Sequence, residues 1–322
     1  MIVITGGAGF IGSTLAKSLS KNEEILIIDT FKDIEQKRYL SEVPGSRLVS
    51  LKDCKSLLNY FKNNIKYFYH LGANSSTDQT LLSEAVDTNI FWSQYYWEFC
   101  TSNKIPFMYA SSAATYGDGS KGFSDKMTVD ELKDIKINNI YGWSKMYFDI
   151  FALKQERIGN APPIWHGLKF FNVYGVNEYH KNNQSSVVHT FLKELKFDGK
   201  IKLFKSYNKK FLDGEQQRDF VSVNFCIEFM KNIQKINLQN GLLNVGTGKP
   251  KTFISFANDI MNAFEKKGKI EFKDMPNILK SHYQYFTKSE NLKTIKIHKL
   301  MTDFNYNEDL KLIVKSIVDK LD

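Results

Sequence analysis

The chain opens on an apolar run, MIVIT, followed by GGAGFIG and by FIGSTLAKSLSKN, whose apolar positions recur at helical spacing, and then by a second apolar run, ILIID. Two further runs, IKYFYHLGA and PFMYASS, flank the helical stretch LLSEAVDTNIFWSQYYWEFCTSN. Runs such as ILII and FMYA are apolar at every position, as in strands covered on both faces, and strands that alternate with helices build a parallel sheet. The pattern predicts an α/β fold with a doubly wound parallel sheet.

After PFMYASS, the polar stretch GDGSKGFSDKMTVDELKDIKINN reads as a mobile surface flap before a helix in YGWSKMYFDIFALKQER and a buried strand in PIWHGLKFFNVYG. From about Asn172 the alternation weakens. KSYNKKFLDGEQQRDF reads as a loop or short hairpin, and GLLNVGTG as a return strand of the main sheet. The apolar stripes of TFISFANDIMNAFEKK and LKLIVKSIVDKLD are expected to pack on a smaller lobe. Two interleaved domains follow: residues 1–171 completed by about 221–247, and a mixed α/β lobe from 172–220 and 248–322.

Composition narrows the class without changing the pattern. Hydrophobic residues make up 42% and charged residues 25% of the 322, and no apolar run reaches the ~18 residues of a membrane span. The chain begins on a strand with no export segment, and Cys54, Cys100 and Cys226 form neither a disulfide framework nor a CxxC pattern, so a cytoplasmic location is expected. The net charge of +9 comes from scattered lysines; it excludes no small anionic ligand and marks no nucleic-acid site. None of His70, His166, His180, His189, His282 and His298 has the paired spacing of a metal site.

Gly6, Gly9 and Gly12 stand three apart between an apolar strand and a helical pattern. In that setting the first glycine permits a tight turn, the second a close approach to pyrophosphate and the third close helix packing, while the amides of Phe10, Ile11 and Gly12 open toward an anion. Asp29, with Thr30 beside it, ends the second strand where an acid accepts ribose hydroxyls. A carboxylate there favours NAD, whereas Lys32, Lys37 and Arg38 offer cations to a 2′-phosphate. Leu71, Gly72, Ala73, Asn74 and Ser75 end a further strand with mostly small residues, which suits a backbone pressed on the cofactor and equally simple tight packing.

Tyr141 and Lys145 share one helix face in YGWSK, where an ammonium lowers a phenol's pKa and makes it a proton acceptor. Ser112, at the end of the strand in YASSAATYG, is placed to hydrogen-bond the reacting oxygen.

Together, GGAGFIG, YASSAATYG and YGWSK resemble the extended short-chain dehydrogenase/reductase family of nucleotide-sugar epimerases and dehydratases, whose fold is a Rossmann domain plus a substrate lobe. FFNVYGVNEYHK, RDFVSV, NVGTG, KGKIEF and YQYFT are similar to the branch that inverts carbon six of an ADP-linked heptose. The resemblance implies bound NADP, with NAD as the other possibility, a nucleotide-sugar substrate, a homo-oligomer, and a role in making the lipopolysaccharide core precursor. It implies no nucleic-acid, membrane or metal partner.

It also assigns residues. Lys181 would be a second base facing Tyr141 across the sugar, also near the cofactor. Val173 and Thr88 would lie on the cofactor, Thr88 where the family commonly has asparagine. Asn172, Asn183, Phe204, Lys205, Ser206, Arg218 and Tyr283 would contact substrate. From spacing alone Lys181 is a surface lysine or a phosphate contact, and Arg218 has pairing with Asp219 as its alternative.

Two other readings stay in view. A 4-epimerase would need Ser112, Tyr141 and Lys145 but not Lys181, and a 4,6-dehydratase needs acids where SSAATYG has alanines. A cofactor-sensing protein would use the same fold without reaction.

Overall fold

The computed structural model describes the chain apart from residues 33, 42, 76–81, 138, 281, 282 and 322 and the side chains of 82, 182–184 and 278. Six apolar runs form strands β1 (Ile2–Thr5), β2 (Ile25–Asp29), β3 (Arg47–Ser50), β4 (Tyr67–His70), β5 (Phe107–Ser112) and β6 (Trp165–Phe170). The chain then leaves the sheet through β7 (Asn172–Tyr174), β8 (Lys200–Phe204), β9 (Gln217–Arg218) and β10 (Phe220–Ser222), returns as β11 (Gly241–Val245), and leaves again through β12 (Lys251–Thr252) and β13 (Lys269–Lys273).

The main sheet has the order β11-β6-β5-β4-β1-β2-β3, and all its pairings are parallel. Every residue of β6 and β11 is buried, including the polar His166, Lys169 and Asn244, as in strands covered on both faces. The strand order reverses between β1 and β4, so a crevice opens at their carboxyl ends, where ligands of such sheets bind. The helix Phe10–Leu19 starts there, and the helix Ile140–Arg157 runs alongside β5.

Three two-stranded ladders lie outside the sheet: β7 with β10 and β8 with β13, both parallel, and β9 with β12, antiparallel. Two apolar cores result. The larger surrounds the sheet and includes Phe225, Phe229 and Met230 of the helix Val223–Ile233 and, from the C-terminal third, Ile297 and Met301. The smaller joins Val188, Leu192, Ile201, Phe256 and Ile260 to Leu310, Ile313 and Ile317.

The stretch expected to be a mobile flap is packed instead. Phe123, Leu132 and Ile135 are buried, Thr128 and Glu131 form a reciprocal cap on the helix Val129–Lys133, and Asn244 of β11 donates to the Phe123 carbonyl at 2.7 Å. Its polar residues alternate with anchors too sparse to produce a periodic pattern, which is why the segment reads as loop.

Candidate active site

The glycine turn is built as tightly as its sequence requires. Gly6 has φ +66°, a conformation that a side chain rarely adopts, and a Cβ on it would run into the Gly72 amide. A Cβ on Gly12 would strike the Gly6 carbonyl, so the helix could not start so close to the strand. The helix has no side-chain cap and no acid in its first turn, which leaves its first amides for an anion.

Asp29 steadies this turn as well as facing the cavity. Its Oδ2 accepts from the Ala8 amide at 2.9 Å and its Oδ1 from the Thr30 amide at 2.7 Å, and burial raises its pKa.

A cavity of about 640 Å³ runs from the glycine turn along the carboxyl ends of the strands, a size suited to a cofactor with part of a substrate. Gly6, Gly9, Phe10, Ile11, Gly12, Asp29, Leu71 to Ser75, Ser112, Tyr141, Lys145, Val173 and Lys181 all line it. Thr30 and Thr88 line a smaller adjoining hollow of about 180 Å³ that shares Gly6, Asp29, Gly72 and Ala73 with the main cavity. Lys32 is exposed and lines neither.

Tyr141, half-buried, and Lys145, buried, share the site but not the electrostatic relation expected of them. Burial pushes the Tyr141 phenol above its ordinary value, and a hydrogen bond with Ser112 acts in the opposite direction. Lys145 is 3% exposed, donates from Nζ to the Ala110 carbonyl at 2.7 Å, and is pulled down to about 8 by the same burial. The ammonium is thus committed to the backbone of β5, and Ser112 is the residue that favours ionised Tyr141.

Lys181 follows a loop whose geometry is set by Glu178. That carboxylate is buried and accepts from the Gly175 amide at 3.0 Å and from the Ser186 amide and hydroxyl, both at 2.8 Å. Lys181 Nζ lies 3.6 Å from Glu178 Oε2 and 4.2 Å from the Phe10 ring centroid. Burial lowers the lysine's pKa and Glu178 draws it back up, a balance that keeps an amine able to exchange a proton.

Asn172, Phe204, Lys205, Ser206, Arg218 and Tyr283, expected on the substrate, are outside the cavity's lining, whereas Ser112 is part of it. Arg218 is 7% exposed, with its guanidinium 5.1 Å from the Tyr283 ring centroid and 5.7 Å from that of Phe253. Asp219, the alternative partner, instead accepts from the Thr247 amide and hydroxyl at 2.8 and 2.6 Å, from the Gly248 amide at 2.8 Å and from the Ser289 amide at 2.9 Å. Among the described residues Arg218 has no carboxylate partner, which leaves a buried cation facing an anion-sized need.

Asn172 accepts from the Thr287 hydroxyl at 3.2 Å, Lys205 pairs with Asp274 at 3.2 Å, and the Ser206 amide donates to Asp213 at 2.6 Å. Phe204 ends β8, and the side chain of Asn183 lies outside the described residues.

Several lining residues escaped the sequence reading. Gln36, Ser111, Phe170, Phe171 and His180 line the cavity; His180 lies within the quoted NEYHK, while Gln36 falls one helical turn beyond Lys32. Asn89 sits beside Thr88 in a π-helical turn, Asp87–Phe91. Its amide exchanges hydrogen bonds with the Asn74 backbone at 2.8 and 2.9 Å and donates to the Ser144 hydroxyl at 2.9 Å, so it ties the cofactor-side loop to the helix of Tyr141. No group of three or more His, Cys, Asp or Glu is placed to hold a metal, and no helix is long and apolar enough to cross a membrane, among the described residues.

Residues 2–246 match the NAD dependent epimerase/dehydratase family. The chain belongs to that family. It is 36% identical to an ADP-L-glycero-D-manno-heptose-6-epimerase from Fusobacterium nucleatum over 99% of this chain and 96% of the relative. A second epimerase of that description, from Nitratidesulfovibrio vulgaris, is 35% identical over 90% of this chain and 89% of its own. Among solved structures, the Helicobacter pylori ADP-L-glycero-D-manno-heptose-6-epimerase superposes with a TM-score of 0.78 at 25% identity, covering 98% of this chain and 95% of that one. A UDP-N-acetylglucosamine 4-epimerase from Methanobrevibacter ruminantium shares the fold, with a TM-score of 0.81 at 19% identity, over 99% of this chain and 98% of that one.

The glycine turn with its uncapped helix fits the nicotinamide dinucleotide of this family. When bound, the dinucleotide accepts hydride from a carbinol carbon and returns it.

Proposed function

We propose that the chain converts ADP-D-glycero-D-manno-heptose to its L-glycero epimer by inversion at carbon six, as a step toward the lipopolysaccharide core. The observation that carries this reading is that Lys181 lines the same cavity as Ser112, Tyr141 and Lys145. Inversion through a ketone takes a proton from the carbinol oxygen in one orientation of the sugar and returns it in the other, and two proton carriers within one chamber serve one orientation each. A 4-epimerase would leave Lys181 idle, and the relatives described as heptose-6-epimerases favour inversion at carbon six.

In this reading Ser112 and Tyr141 hold the reacting oxygen, Lys145 fixes the helix against β5 and meets the cofactor ribose, and Arg218 takes the diphosphate. The working enzyme is expected in the cytoplasm as a homo-oligomer.

The test is proton NMR of the purified protein with ADP-D-glycero-D-manno-heptose and no added cofactor. Conversion to a mixture of epimers supports the assignment. A sugar unchanged even when NADP and NAD are supplied sinks it and turns attention to other nucleoside-diphosphate sugars.

Arg218→Met is expected to raise KM by about 10- to 100-fold with a smaller change in kcat, because a desolvated charge-assisted contact to phosphate contributes about 1.5–3 kcal/mol. Steady-state kinetics separate the two parameters. Inorganic pyrophosphate should also inhibit the wild type more strongly than the variant.

The family resemblance implies NADP, and Lys32 is the nearest cation beyond Asp29 to meet a 2′-phosphate, from outside the cavity. What the cavity itself presents at that end is the Asp29 carboxylate and the neutral Gln36 amide. Asp29→Asn is expected to shift the ratio of the two Kd values by about 10-fold toward NADP, the size of one charge repulsion in a partly solvated site. Fluorescence titration with each cofactor measures it.

A further inference from the structure

Beneath the reacting helix, hydrogen bonds and an ion pair converge on Asp149. This residue stands four positions after Lys145 and eight after Tyr141 on the helix Ile140–Arg157, so all three share a face. It is fully buried. Its Oδ1 accepts from the Tyr109 hydroxyl at 2.8 Å, its Oδ2 from the Ser111 hydroxyl at 2.8 Å, and Lys169 Nζ lies 3.0 Å from Oδ2. Tyr109 and Ser111 flank Ala110, the carbonyl partner of Lys145, and Ser112 comes next. One carboxylate therefore clamps the catalytic end of β5 to the helix.

Lys169, on β6, is as buried as its partner. It donates to the Thr115 hydroxyl at 2.6 Å, and its Nζ lies 4.5 Å from the Tyr116 ring centroid. A buried pair of this kind contributes little net stability, since both ions have lost their water. Its use has to be sought in what it does to neighbouring charges. Asp149 supports the Lys145 ammonium but opposes a tyrosinate at Tyr141.

Beside Tyr141 on its own helix stand Lys145 and Asp149; His70 on β4 bears on the charge of Lys145, Tyr109 on β5 and Lys169 on β6 contact Asp149, and Lys181 lines the same cavity. His70 is held neutral by burial, which leaves Asp149 as the anion among them.

We propose that Lys169 is a positioning and charge-compensating residue: paired with Asp149, it lets that carboxylate clamp the helix to β5 without leaving a net negative charge beneath Tyr141. The inference rests on the reading of Tyr141 as a proton carrier.

The test is the pH dependence of kcat in wild type, Lys169→Met, Lys169→Arg and the double variant Asp149→Asn/Lys169→Gln. Beside it, tyrosinate absorbance is titrated without substrate, taking the difference from Tyr141→Phe. In Lys169→Met, both the rise of activity and the Tyr141 titration are expected to move alkaline by about one pH unit with little change in KM. Lys169→Arg restores the wild-type profile, and the double variant, which has lost both charges, stays close to it.

An unmoved profile in Lys169→Met, or a double variant displaced as far as the single, overturns the proposal. If Lys169→Met does not fold, Lys169→Gln makes the same charge change while keeping hydrogen bonds to Asp149 and Thr115. If the wild type fails to epimerise the heptose, the functional reading falls, and the substrate-free titration still decides the role of Lys169.

Discussion

Tyr141→Phe is expected to slow epimerisation by about 10²- to 10⁴-fold, the usual contribution of a placed proton carrier. The substitution removes one oxygen atom from a half-buried residue of the cavity wall, so the ring still fills its place and the fold should persist. KM should change little, because Arg218 and the residues around it remain. The check is kcat and KM from a coupled assay, with circular dichroism to establish that the variant is folded. A Tyr141→Phe enzyme within fivefold of wild type would remove the phenol from the reaction.

Lys181→Met is expected to cost a similar factor, about 10²- to 10³-fold. The methionine keeps the apolar stem above the Phe10 ring and deletes the amine, so the loop set by Glu178, Gly175 and Ser186 stays in place. The more telling result is the double variant. Tyr141 and Lys181 act at different steps of one path, the proton leaving in one orientation of the sugar and arriving in the other. Steps in series do not multiply their losses, so Tyr141→Phe/Lys181→Met should be about as slow as the worse single variant and not slower by the product. Product losses would mean that both groups act in one transition state. A Lys181→Met enzyme of wild-type rate would mean a single-base epimerase.

How far the sequence was readable depends on whether a feature is local. The glycine turn could be read because each glycine answers a steric demand of its neighbours, Gly6 against Gly72 and Gly12 against Gly6. Tyr141 and Lys145 could be read because helix spacing alone puts them together. Asn89 shows what local reading leaves out: it lies beside Thr88 in the π-helical turn Asp87–Phe91, and its contacts to Asn74 join segments that sequence spacing does not connect.

Contacts across the fold left no such mark. Asp149 and Lys169 come from different elements, and nothing in FDIFALK or HGLKFF announces that they meet. The direction of the Tyr141 shift was misjudged for the same reason. Burial and the Ala110 carbonyl are properties of the assembled site, while the ammonium was visible in YGWSK. The packed segment before Tyr141 was read as mobile because its anchors, Phe123, Leu132 and Ile135, find their partners only in the folded core.

The chain passes between its two cores at Phe170–Asn172, around Ser222, after Val245, again before Ile297 and again between Met301 and Leu310. A seam stitched five times does not open like a book on one spine. The halves are bound to melt as one, giving a single calorimetric transition.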